Sequence, residues 1–100
     1  MAKLTIVYWR DIPAQVIAKE KRTAAKRVLP ERFEKAIDRA AMRSGARDTD
    51  AYLAEWRRGE PTPCGDDLEA EAAAAAERLE AEFDDDRLAA LVAAGGRIEA

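Results

Sequence analysis

The stretch Lys3-Leu4-Thr5-Ile6-Val7-Tyr8-Trp9-Arg10-Asp11-Ile12-Pro13-Ala14-Gln15-Val16-Ile17-Ala18 decides the fold. Its first part is rich in β-branched and aromatic residues, the composition of a strand. Leu4, Ile6 and Tyr8 share one face of that strand, and Thr5, Val7 and Trp9 share the other. Both faces carry large apolar groups, so both read as covered. Asp11-Ile12-Pro13 turns the chain, and Ala14 to Ala18 reads as a second strand closing a hairpin. Two strands alone are marginal in water, so helices or another strand must pack on them.

Beyond the hairpin, Lys21 to Leu29 fits a third, short strand, with loop or helix as alternatives. Pro30 suits the first turn of a helix, where a missing N–H costs nothing. Phe33, Ile37, Ala40, Ala41 and Ser44 follow at three- and four-residue spacing and predict one buried stripe. Gly45 stops this helix. Asp48 or Thr49 caps a second helix with Tyr52, Leu53 and Trp56 on its apolar face, ended by Gly59 and Pro61. Pro61-Thr62-Pro63-Cys64-Gly65 is the clearest linker. Asp66 or Asp67 caps a third helix carrying Leu68, Ala72, Ala75, Ala76, Leu79 and Phe83. Asp84-Asp85-Asp86 starts a last short helix with Leu88, Leu91 and Val92, unless the third runs through. Gly95-Gly96 ends it, and a frayed tail follows. The expected class is α+β: an N-terminal antiparallel hairpin, or three strands, packed on three to four helices. Residues 1–59 form the α+β core, 60–66 a linker, and 67–100 an acidic, alanine-rich helical extension of the same single domain.

The 100 residues allow one modest core. Many apolar residues are alanines, which bury little area, so Tyr8, Trp9, Phe33, Tyr52, Trp56 and Phe83 matter more than usual. No apolar run is long enough for a membrane span. Leu4 to Trp9 is too short for a signal-peptide core. A lone cysteine, Cys64, excludes an internal disulfide and fits a reducing, cytoplasmic setting. The net charge of −3 conceals an asymmetry: residues 1–50 hold 12 Lys/Arg against 7 Asp/Glu, and residues 51–100 hold 5 against 13. The two halves should attract each other, within one chain or between chains.

The sequence has no histidine. That removes the commonest general base and metal ligand, and the Ser-His and Cys-His nucleophile systems. Cys64 precedes a helix start, which can activate a thiol, but Asp66 and Asp67 oppose thiolate formation. The competing reading is an incidental loop cysteine. Asp84-Asp85-Asp86 lacks the spacing and glycine of a calcium loop and reads as a solvated cap. The basic stretch Lys19, Lys21, Arg22, Lys26, Arg27 could track phosphates beside the aromatic Tyr8 and Trp9. The acidic balance of the whole chain argues instead for a solvated or partner-facing edge. Trp56 with Arg57 and Arg58 reads either as an interface anchor or as a core tryptophan at a helix end.

Four segments together carry a resemblance: residues 5–17, Arg22-Thr23-Ala24-Ala25-Lys26-Arg27, Leu29-Pro30-Glu31-Arg32-Phe33 and Asp50-Ala51-Tyr52-Leu53-Ala54-Glu55-Trp56. The chain resembles the small bacterial virulence factor domain family, related to a domain of conserved virulence factor C. The likeness covers about residues 3–58, and the acidic tail looks variable. Members similar to this chain occur in alphaproteobacteria, often encoded near methyl-transfer functions that use folate and corrinoid. The resemblance therefore implies an accessory role in one-carbon metabolism and assigns no catalytic residues.

The expected function is that of a non-enzymatic accessory protein with no cofactor, no metal and a protein partner. The resemblance points to methyltransferase or corrinoid-handling proteins. The candidate partner-binding residues are Tyr8, Trp9, Arg10, Lys26, Arg27, Trp56 and Arg57. The alternatives are a nucleic-acid-binding regulator using residues 19–27 and a small redox protein using Cys64.

Overall fold

The computed structural model describes residues 2–45 and 49–97. The chain runs β1 (Lys3–Trp9), β2 (Ile12–Glu20), β3 (Thr23–Val28), α1 (Glu31–Ser44), α2 (Thr49–Ala54), β4 (Trp56–Arg58), β5 (Thr62–Pro63), α3 (Leu68–Glu82) and α4 (Asp85–Ala93). The class is α+β: an antiparallel sheet ordered β3-β2-β1-β4, with β5 also paired to β1, and four helices.

Two-residue turns join the first three strands. Trp9 pairs with Ile12, and Glu20 with Thr23. The first turn residue is left-handed in each case, Arg10 at φ 54° and Lys21 at φ 53°. Lys21 to Leu29 is thus strand for most of its length, because a tight turn brings Thr23–Val28 into antiparallel register with β2. Val7 pairs with Gln15 and Tyr8 with Pro13, so Ala14 is an extra residue that bulges β2.

Trp56 lies on a strand, not on the second helix. Helix α2 ends at Ala54, and Trp56–Arg58 pairs with β1, Trp9 opposite Trp56. The Pro-rich segment after it is also held: Thr62 pairs with Leu4 and Pro63 with Lys3. Residues read from sequence as helix end and linker thus return along the free edge of β1.

Helix α1 buries Phe33, Ala36, Ile37, Ala40 and Ala41 and ends at Gly45, φ 83°. Ser44, expected on that stripe, is exposed, and its hydroxyl donates to the carbonyl of Ala41. Asp67 caps α3 by accepting from the Ala70 N–H, and Asp84 caps α4 by accepting from that of Arg87. A cap at Asp48 and the frayed tail after residue 97 lie outside the described residues.

Helix α3 packs on β2 and β3. Its buried Ala72, Ala75 and Ala76 belong to one core with Ala18 and Ala25 of the sheet, so small side chains on both elements permit close approach. Helices α1 and α4 pack together at the end of the sheet near the β1–β2 turn. Phe33 of α1 meets Phe83 edge-to-face at 6.4 Å. Arg32 donates to the carbonyls of Glu80 and Phe83, joining α1 to the end of α3.

Candidate partner-binding face

In an antiparallel ladder, residues directly opposite each other point to the same side. The register therefore sorts the sheet into two faces. Leu4, Ala18 and Ala25 lie on one face with Ile6 and Val16. Leu4, Val16, Ala18 and Ala25 are buried there, under α3. The other face carries Lys3, Thr5 and Val7 of β1, Gln15, Ile17 and Lys19 of β2, Ala24, Lys26 and Val28 of β3, and Arg58 of β4.

None of these ten residues is buried, although β1 and β2 are the inner strands. Val28 is 74% exposed. The expectation that both faces are covered holds for the α3 face alone. Among the described residues, the second face is covered at its Trp9 end, where Tyr52 of α2 and the backbone of Gly96 lie against the indole.

The chemistry of the open face is polarised. Thr5, Val7 and Ile17 form its centre. Lys3 and Lys19 stand side by side at one end, Lys26 on the β3 edge and Arg58 on the β4 edge. These strands place no Asp or Glu on this face. Among the described residues, none of the four cations has an ion-pair partner. Directly opposed like charges such as Lys3 and Lys19 destabilise a sheet. At the remaining end, a cavity of about 290 Å³ opens among Ala14, Val28, Leu29, Ile37, Tyr52 and Trp56, with Gln15 and Glu34 also lining it. Tyr52 and Trp56 meet edge-to-face at 6.0 Å across its wall.

The residues singled out from sequence divide sharply. Lys26 lies on the open face and Trp56 lines the cavity. Arg27, opposite Val16, points to the α3 side of the sheet. Trp9 is fully buried and offers a partner no surface. Arg10 is engaged internally: its guanidinium donates to the carbonyl of Gly95 at 2.7 Å and lies 3.4 Å from the Glu55 carboxylate. Arg57 donates to the carbonyl of Arg10 and to Asp11, and stacks over Tyr8 at 4.5 Å. Tyr8 sits on the α3 side in a groove with Leu79, Glu82 and Phe83. Sequence reading missed Lys3, Thr5, Val7, Ile17, Val28 and Arg58 as a set. The alternation of β1 contained the signal, but not which alternate set α3 would cover.

Cys64 donates its main-chain N–H to the carbonyl of Ala2, so its loop is pinned to the start of the sheet. Burial, then the carboxylates of Glu71, Asp66 and Glu20, push its thiol pKa up. That is the opposite of the shift a nucleophilic or redox thiol needs. Among the described residues, no group of three or more Cys, Asp or Glu is placed to hold a metal ion.

A family model described as "Virulence factor" matches residues 7–92. The chain belongs to the virulence factor family. No curated protein and no solved structure matches it. The match reaches past residue 58 to Val92, so the acidic helices are part of what makes this a virulence factor domain. The packing of α3 against β2 and β3 gives the physical reason: without that helix the sheet would lose its covered face. Among the described residues of the virulence factor domain, no helix is long and apolar enough to cross a membrane.

Proposed function

We propose that this virulence factor domain is a non-enzymatic accessory protein that works by docking its open sheet face on a protein partner. One observation carries the reading: the inner strands leave Thr5, Val7 and Ile17 only partly buried, inside a rim of cations that have no ion-pair partner among the described residues and beside an aromatic-walled cavity. Interfaces combine an apolar centre, a polar rim and pockets for anchor side chains in this way. The partner class that the family resemblance implies is a folate- or corrinoid-handling methyl-transfer protein. The use of a single, unactivated cysteine supports a cytoplasmic setting.

The test is capture from native lysate at physiological salt with the full chain and with an Ile17→Glu/Lys26→Glu variant. A specific partner, identified by mass spectrometry, should be retained by the wild type and lost by the variant. A partner retained equally by both would place docking elsewhere. Thermal unfolding of the variant, Lys26 being exposed and Ile17 only partly buried, checks that the fold persists.

A further inference from the structure

We propose that the open face holds an acidic amphipathic helix of the partner protein. The inference rests on the docking-face reading and adds the occupant's chemistry. Its apolar stripe lies over Thr5, Val7 and Ile17, and its flanking carboxylates meet Lys3, Lys19, Lys26 and Arg58.

Three properties select this occupant. The first is width. Lys26 on β3 and Arg58 on β4 lie three strand spacings apart across the sheet, roughly 14 Å, and two residues apart along it. An α-helix with its side chains is about 10–12 Å across, so one helix fits between the two cations. The second is charge. The face holds four cations whose carboxylate partners are not supplied by the described residues, and Lys3 directly opposes Lys19. Glutamates flanking the apolar stripe would relieve that repulsion and desolvate little, because the cations stand at the rim. The third is the arrangement of apolar groups. The centre is aliphatic and the cavity beyond it takes one large apolar side chain as an anchor. Glu34 at the cavity wall disfavours a carboxylate there, which puts the anchor, not the acidic flank, at that end.

A nucleic acid fits this face less well. Sequence-tolerant strand binding needs aromatic faces on which bases stack. Trp9 is buried, and Tyr52 and Trp56 pack edge-to-face on each other at one end. The centre of the face offers only Thr, Val and Ile.

The probe is a fluorescein-labelled synthetic peptide of about 18 residues, roughly 27 Å of helix. It carries Leu at three- and four-residue spacing in a background of Glu and Ala. Fluorescence anisotropy with the full chain should give saturable binding that weakens with salt. Binding should fall at least tenfold for Lys19→Glu/Lys26→Glu, and severalfold for the milder Lys19→Ala/Lys26→Ala pair. A peptide of the same composition with scrambled Leu positions should bind at least tenfold more weakly. Absence of peptide binding overturns the proposal, as does equal binding of the scrambled peptide, which would reduce the effect to charge alone. Tighter binding of a single-stranded DNA of equal charge, lost in the same variants, would make the occupant a nucleic acid. Self-association in sedimentation, abolished by the same variants, would make it a second copy of the chain. If lysate capture depends on Ile17 and Lys26 while the peptide fails, the docking face stands and the helix assignment falls. If neither depends on the face, both fall.

Discussion

The indole Nε1 of Trp9 donates a hydrogen bond to the main-chain carbonyl of Tyr52 at 2.9 Å. The two rings lie 5.8 Å apart. This contact ties the end of the first strand to α2. On another side of the indole stands Gly96, whose carbonyl accepts from the Asp11 N–H at 2.8 Å. Trp9 is thus the point where the hairpin, the middle of the chain and its C-terminal turn meet.

Trp9→Ala should cost about 3–5 kcal/mol, the usual penalty for emptying a large aromatic site. Trp9→Phe keeps much of the volume but removes the donor to Tyr52, and should cost about 1–3 kcal/mol. Chemical denaturation measures both. A Trp9→Ala midpoint near that of the wild type would show that the three segments do not depend on this side chain.

Gly96 and Gly45 make a matched pair. Both have positive φ, 91° and 83°. A Cβ at Gly96 would lie 3.0 Å from the Trp9 ring and 3.4 Å from Ala40 Cβ, whereas one at Gly45 would meet nothing within 4 Å. Gly45→Ala therefore carries backbone strain alone, about 1 kcal/mol, and Gly96→Ala adds steric displacement for a total of about 2–3 kcal/mol. Equal losses in the two variants would mean that the Trp9 ring shifts without cost.

Arg32→Lys should destabilise by about 1–2 kcal/mol. The guanidinium reaches two carbonyls at the end of α3, Glu80 and Phe83, and lies 4.5 Å over the Phe33 ring. An ammonium keeps the charge but not the fork. Thermal unfolding of the variant, compared with Lys35→Arg on the same helix as a control, isolates the geometric effect.

Stability should decline as pH rises above about 10. Burial raises the phenol pKa of both Tyr8 and Tyr52 from the ordinary value of 10.0, with Arg57 partly offsetting the rise at Tyr8 and Asp38 adding to it at Tyr52. The folded state then holds its phenolic protons at a pH where the unfolded chain has released them. Unfolding is favoured by that difference, so stability is intact below the unfolded value and falls through the folded one. Tyr8→Phe and Tyr52→Phe should each flatten the alkaline limb of a denaturation-midpoint profile. An unchanged limb in both variants would assign the loss to other groups.

Cys64 should alkylate more slowly than free cysteine at pH 8. Burial and three neighbouring carboxylates raise its pKa from 9.0, reducing the thiolate fraction. Iodoacetamide labelling followed by mass spectrometry gives the rate. A rate above that of free cysteine would reopen the redox reading.

Much of the local structure was legible because it depends on neighbours within one turn. Pro30 and Gly45 bound α1, Asp67 and Asp84 cap the acidic helices, and β-branched residues mark β1; each follows from contacts or torsions a few residues apart. Trp56 was not legible in this way. Its spacing after Tyr52 suits a helix, but pairing with Trp9 across the sheet outweighs that local preference. The same holds for Thr62 and Pro63, whose composition reads as linker and whose partners are Leu4 and Lys3.

The candidate site divides along the same line. The amino-acid sequence by itself determined that β1 and β2 present two alternating sets of side chains, one headed by Leu4 and Ile6 and the other by Thr5 and Val7, because successive residues of a strand point to opposite sides. Only the tertiary structure decided that α3 covers the first set and leaves the second open with Lys3, Lys19, Lys26 and Arg58 around it. On β1 both sets carry large apolar groups, Leu4, Ile6 and Tyr8 in one and Val7 and Trp9 in the other. The choice is made by the small residues Ala18 and Ala25, which let α3 come close on one side, and that fit exists only once the strands are in register.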